Sequence, residues 1–263
     1  MMHIALQGVG LYAPGLPNWQ VAMPVLRGDL PWQNDPVPAV TLPLPAAERR
    51  RTSGCARAAW AAAEQALSSS GIDARAVSTV FASSGGDGVI LHQLCTALAS
   101  PERAVSPTLF HNSVHNAPAG YFSIATGSQA ASTSLCHHAA PFAAGLLEAA
   151  VQVSTENRPV LLVGFDLVAP FPLAPLWPAQ RDFAVALLLA PPSEATALAQ
   201  WQIAPTSMAP IARPDSTDWL TQFAHANPVA ESLYLLSALT SATAVQHRLP
   251  YLDNLSLEVA CTR

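Results

Sequence analysis

Residues 132–149 read STSLCHHAAPFAAGLLEA. Ser128 to Cys136 is read as a strand, and from Pro141 the chain turns helical: Phe142, Leu146, Leu147, Ala150 and Val151 recur on one face, while Ala143, Ala144 and Gly145 keep another face small. A helix that is apolar almost all round is buried between layers rather than laid on a surface. The stretch therefore predicts a strand, a short turn and a buried helix. It also places Cys136 beside His137 and His138 at the mouth of that helix. Helix N-termini and nearby imidazolium groups both lower a thiol pKa, which makes Cys136 a candidate nucleophile; the other reading is a packed strand cysteine.

The segments around it fit a covered sheet. PVLLVGFD (159–166) and FAVALLLA (183–190) are long apolar runs of the kind a sheet covered on both faces requires, and ALAQWQIA (197–204) follows as a third strand. His3 to Tyr12 reads as a buried first strand, and Pro14 to Pro45 as an irregular, proline-rich stretch. Ala56, Ala59, Trp60, Ala63 and Leu67 recur at helical spacing, with Gly71 as the C-terminal cap. Val77 to Ser83 is a strand, the turn SSGGDG leads into a helix over VILHQLCTALA capped by Asp87, and a short helix follows Asn116 and Pro118, ending at Gly127. ANPVAESLYLLSALTSAT reads as a helix capped by Asn227 and Pro228, and LSLEVAC (255–261) as a last strand. With no internal repeat or linker, residues 1–263 read as one α/β domain: a mixed sheet with a buried helix between layers.

Composition narrows the function. Charged residues make up 11% of the chain against about 25% in an ordinary soluble domain, while 51% are hydrophobic, so much of the outer surface is expected to be covered by a partner subunit. Net charge is −5 and all twelve basic residues are arginine, dispersed apart from Arg49, Arg50 and Arg51. That argues against a nucleic-acid footprint, and the lack of lysine excludes Schiff-base and Walker-lysine chemistry within this chain. Cysteines 55, 95, 136 and 261 show no CxxC spacing and read as reduced thiols of a cytoplasmic protein. The longest apolar runs fall short of a membrane span.

Three possible sites remain. SSGGDG matches neither the P-loop nor the dinucleotide fingerprint and reads as a tight turn. His111 and His115 stand four apart, but Asn112 occupies the place of the metalloprotease glutamate and the segment before Asn116 reads as a turn, so no metal is expected there. Cys136 would need a base, from His111, His115, His137 or His138, to act on an acyl thioester. No cofactor is expected.

Taken together, RRRTSGCARAAWAAAEQAL, VFASSGGDG, HNSVHNAPAGYFSIATGSQAASTS, FAAGLLEA, VLLVGFD, FAVALLLAP and NPVAESLYLLSAL resemble the β-ketoacyl synthases of the thiolase superfamily. In particular they resemble the short synthase-like proteins that match only the N-terminal half. The resemblance implies a thiolase-like half-fold and, laid on without gaps from either flank, puts Ala139 in the nucleophile slot, with Cys136 three residues early. It implies a missing catalytic half, since neither of the family's C-terminal histidine motifs is present. It also implies a chain-length-factor-like, non-condensing subunit of aryl polyene-type polyketide or fatty-acid-like synthesis. The partners implied are a full-length ketosynthase, pairing across the strand before the buried helix, and acyl carrier protein bearing the acyl chain. Ala139 and Phe142 are the expected acyl-tunnel positions.

Overall fold

The computed structural model describes residues 1–192, 197–210, 218–241 and 244–262. Among them one eight-stranded mixed sheet runs through the molecule in the order β3-β2-β4-β5-β1-β6-β8-β7. Its strands are β1 (Met2–Tyr12), β2 (Ser78–Ser83), β3 (Ser132–Cys136), β4 (Val160–Asp166), β5 (Phe183–Ala190), β6 (Ala199–Thr206), β7 (Val245–Leu252) and β8 (Leu255–Thr262). β2 pairs in parallel with both β3 and β4, and every other pairing is antiparallel. The central strands β2, β4 and β5 are buried along their whole length, as the long apolar runs of β4 and β5 require.

Two helices cover opposite faces. Helix α3 (Gly54–Ser70) packs on β1 and β5; Ser53 caps its start by accepting the Ala56 N–H, and Gly71 (φ 72°) ends it as its sequence position indicated. On the other face lies α7 (Pro141–Glu156), whose buried residues are Pro141, Phe142, Ala143, Gly145, Leu146, Ala149, Ala150 and Val153. Its buried face is rotated from the one read in the sequence. Val151 is 40% exposed, because the face that meets the sheet follows Phe142, Leu146, Ala149, Ala150 and Val153. The expectation of a helix buried all round holds for the face toward the sheet but not for Val151 or for the last turn, Ser154 to Glu156.

The buried side of α7 belongs to one large core with other elements of the chain. Its core residues share a cluster with Ala22, Val25 and Leu26 of α1 (Trp19–Leu26), with Leu233, Leu235 and Leu236 of a later helix (Ser232–Thr240), and with Leu249, Leu257 and Val259 of β7 and β8.

Other departures have local causes. The stretch read as irregular contains α1, which forms despite Pro24 because Asn18 accepts the Val21 N–H and Ala22, Val25 and Leu26 are buried. The rest of that stretch is pinned: the Trp32 indole N–H donates to the Pro14 carbonyl at 3.1 Å, and the Arg181 guanidinium lies 5.3 Å from the Trp32 ring. The remaining helices are α2 (Ala46–Arg51), α4 (Gly88–Ala99), α5 (Pro107–Asn112), α6 (Ala117–Thr126), α8 (Trp219–Ala226) and α9 (Ser232–Thr240). Asp87 caps α4 as expected, accepting from the Val89 and Ile90 N–H groups. Helix α5 replaces part of a stretch read as turn, with Pro107 in its first turn. The helix expected over 226–243 is a 3₁₀ turn, Pro228–Glu231, followed by α9, with residues 242 and 243 outside the described ones. β3 starts at Ser132 rather than Ser128, since residues 128–131 only lead into the ladder.

Candidate functional site

The site grows from the turn between β3 and α7. β3 runs in register on β2 with Ser83 opposite Cys136, and their Oγ and Sγ atoms lie 3.5 Å apart. The His137 N–H donates to the Ser83 carbonyl at 3.0 Å, after which the chain leaves the sheet. The Ala140 N–H then turns back to the His137 carbonyl at 3.1 Å and to its Nδ1 at 3.3 Å. Nδ1 thus accepts, which leaves the proton of a neutral ring on Nε2. Pro141, lacking an N–H, opens α7 without an unpaired donor.

Over this tip stands the β7–β8 hairpin, with Asp253 and Asn254 between the strands. The ring of Tyr251 lies 5.6 Å from that of His137, tilted by 32°. Between them is an open cleft of about 580 Å³ lined by His137, Ala139, Ala140 and residues Pro250 to Leu255. No thiol or aliphatic hydroxyl lines it. Ala139 is exposed there, at the place where the family resemblance sets a nucleophile. Phe142 is not among the residues lining the cleft and is buried in the core.

The alternative site is dispersed. Cys136 is exposed, has Ser83 Oγ as its hydrogen-bond neighbour and is not among the residues lining the cleft. His138 is exposed. His111 belongs to α5 and meets Tyr121 edge-on at 6.4 Å, whereas His115, in the turn after α5, sets Nε2 3.2 Å from the Ser134 carbonyl. Among the described residues no histidine hydrogen-bonds Cys136, so the base that thioester attack needs is not in place.

A polar centre behind the site went unread in the sequence. Asp166, at the end of β4, is fully buried; its carboxylate accepts the Ser84 N–H at 2.9 Å and the Ser84 Oγ–H at 2.7 Å. Its carbonyl accepts from Asn227 Nδ2, which also donates to the Arg181 carbonyl. Asp166 thus ties the turn that begins at Ser84, through its carboxyl, to the start of the 3₁₀ turn, through its backbone carbonyl. An acid closing the all-apolar run VLLVGFD was the available signal. Burial pushes the Asp166 carboxyl from its ordinary 3.8 up to about 7, against the opposing pull of the Ser84 hydrogen bonds.

The sign of the pH effect follows. The folded chain holds this proton up to about pH 7 while the unfolded chain releases it near 3.8, so the folded state binds more protons between those values. Stability from this group is full below the unfolded value and is lost as pH rises through about 7, a difference on the order of 4 kcal/mol. Asp166→Asn, whose amide oxygen can still accept from Ser84 but does not titrate, is expected to remove this fall. Urea unfolding at pH 5 and pH 8 checks it; an undiminished fall in Asp166→Asn would assign the pH dependence to another group.

Residues 20–252 match the family model described as beta-ketoacyl synthase, N-terminal domain. The chain belongs to that family. Solved structures share the fold of this synthase-family chain along nearly its whole length. A chain of the ketosynthase (ApeO) in complex with its chain length factor (ApeC) from Xenorhabdus doucetiae is 22% identical, with a TM-score of 0.74 over 99% of this chain and 100% of that one. A chain of the type II complex AntDE:AntF, described as an acyl-carrier protein in complex with its ketosynthase bound to the hexaketide, is 11% identical, with a TM-score of 0.76 over 99% of each chain. A bacillaene synthase ketosynthase from Bacillus amyloliquefaciens FZB42 is 14% identical, with a TM-score of 0.59 over 82% of this chain and only 47% of that one. No curated protein sequence matches the chain. The fold is thiolase-like, a single mixed sheet with its helices, as the sequence resemblance implied. No described helix is long and apolar enough to cross a membrane.

Proposed function

We propose that this chain is a chain-length-factor-like, non-condensing subunit. It pairs with a full-length β-ketoacyl synthase that elongates acyl chains carried by acyl carrier protein, in an aryl polyene-type polyketide pathway. The observation that carries the reading is the cleft at the tip of α7, where Ala139 stands in the expected nucleophile position and no thiol or aliphatic hydroxyl replaces it. Condensation needs a nucleophile, acid–base imidazoles and stabilisation of the enolate together, and the cleft offers His137 alone among these. The likeness to ketosynthase–chain length factor and carrier-protein complexes supports the partner classes.

The free edge of β3 supports the mode of pairing. It ends the sheet, and the strand is regular and of low charge, ready to continue into a neighbouring sheet. Co-expression with the ketosynthase encoded beside it is expected to give one species on size exclusion, at the summed mass, stable to dilution to micromolar concentration. Separate elution at that concentration would overturn the proposal.

A further inference from the structure

The register of β3 decides which of its backbone groups are engaged. The Ala131 carbonyl accepts the Thr79 N–H, and the His137 N–H donates to the Ser83 carbonyl. Because alternate residues of a parallel ladder face the same neighbour, residues 131, 133, 135 and 137 turn their backbone groups to β2. Those of Ser132, Ser134 and Cys136 point to the open edge. One of these outward acceptors is occupied: the Ser134 carbonyl has His115 Nε2 at 3.2 Å. A carbonyl only accepts, so Nε2 carries the hydrogen. The imidazole lies along the edge in a polar groove of about 310 Å³ shared with Asn116, Gly120, Ser123, Ser132 and Ser134.

The other end of the sheet is protected differently. β7 carries Pro250, which removes a donor, and its register shifts between Pro250 and Leu252; Arg248 also donates from Nη1 to the Ala209 carbonyl at 2.7 Å. These features are fixed in the backbone or reinforced by charge. β3 has no proline, bulge or charged residue. Its cover is a side chain that rotation about two bonds can remove.

We infer that His115 is a latch on the β3 edge: it holds the Ser134 carbonyl in the free chain, opposes pairing of two copies of this chain through that strand, and yields the acceptor when the ketosynthase strand pairs there. The inference rests on β3 being the pairing edge proposed above. A hydrogen bond of ordinary net strength is worth about a 5- to 10-fold bias in such an equilibrium.

The test begins with the free chain, without any ketosynthase. Over a micromolar concentration series by light scattering, wild type is expected to stay monomeric while His115→Ala self-associates about 25- to 100-fold more tightly, because both copies lose the latch. His115→Gln, which keeps an N–H donor, is expected to restore wild-type behaviour. His115 is exposed, so neither change should disturb the fold, and far-UV circular dichroism verifies this. With the ketosynthase added, where a single latch is lost, His115→Ala is expected to bind about 5- to 10-fold more tightly. Self-association unchanged in His115→Ala, equal self-association of the Ala and Gln variants, weaker ketosynthase binding by His115→Ala, or a wild-type chain already dimeric through β3 would each overturn the latch. Failure of wild type to bind the ketosynthase would instead sink the proposed pairing, which separates the two outcomes.

Discussion

Gly10→Val is expected to leave no folded chain. A Cβ built at Gly10 falls 1.9 Å from the Ala62 carbonyl oxygen, and one at Gly8 falls 2.2 Å from that of Ala66. The two contacts form a set. Gly8 and Gly10 share a face of β1, about 7 Å apart, and Ala66 and Ala62 are one helical turn apart on α3, about 6 Å. Helix α3 therefore lies directly on the strand backbone, and relief of the clash means moving the whole helix rather than a rotamer. Ordinary overpacking costs about 1 to 3 kcal/mol, and a backbone carbonyl in the way takes the cost above that range, a large share of the ~5 to 15 kcal/mol that holds a domain folded. Gly120→Ala is the control: nothing lies within 4 Å of that Cβ, and alanine favours the α6 helix. Circular dichroism and soluble yield decide; a folded Gly10→Val chain with its α3 content intact would refute the close packing.

The close approach of β1 and α3 was present in the sequence only as glycines at alternate positions, and their meaning needed the partner helix. What was legible were segments whose pattern matches one environment: β4 and β5 as long apolar runs, and α3 by its alanine stripe and Gly71. Where environment and pattern disagree, the reading failed. β7 carries Arg248 and Pro250 and lies at a sheet edge, where polar residues and proline are tolerated, so VQHRLPYL did not read as a strand. The Asp253–Asn254 turn between two β-prone runs was the signal that would have found the hairpin. At the site, the sequence drew attention to a Cys-His-His triplet, which alternation and the turn then separated: Cys136 toward Ser83, His137 toward Tyr251, His138 to solvent. The choice of Ala139 over Cys136 came from register with the family; Ala139 lines the cleft and Cys136 does not.

Ala139 permits the decisive functional pair of variants. Its side chain is exposed in an open cleft of about 580 Å³, so a leucine enters free space and meets no packed core. The heterodimer is therefore expected to assemble at wild-type affinity with Ala139→Leu. If the cleft forms part of the path along which the acyl chain grows, the added bulk removes room at its end, and the complex is expected to release shorter carrier-bound products. Mass spectrometry of the carrier-bound intermediates reads this directly; unchanged lengths from an assembled, active complex would exclude a measuring role for the cleft. Ala139→Cys asks the converse question. It restores a thiol at the tip of α7, but general acid–base groups contribute about 10² to 10⁴-fold and an oxyanion donor about 10² to 10³-fold, and a thiol supplies neither. The lone Ala139→Cys chain is expected to form condensed product no faster than buffer, even where the new thiol accepts an acyl group. Condensation above background by that chain would mean that His137 and Tyr251 of the hairpin complete a site which the geometry here leaves without its nucleophile.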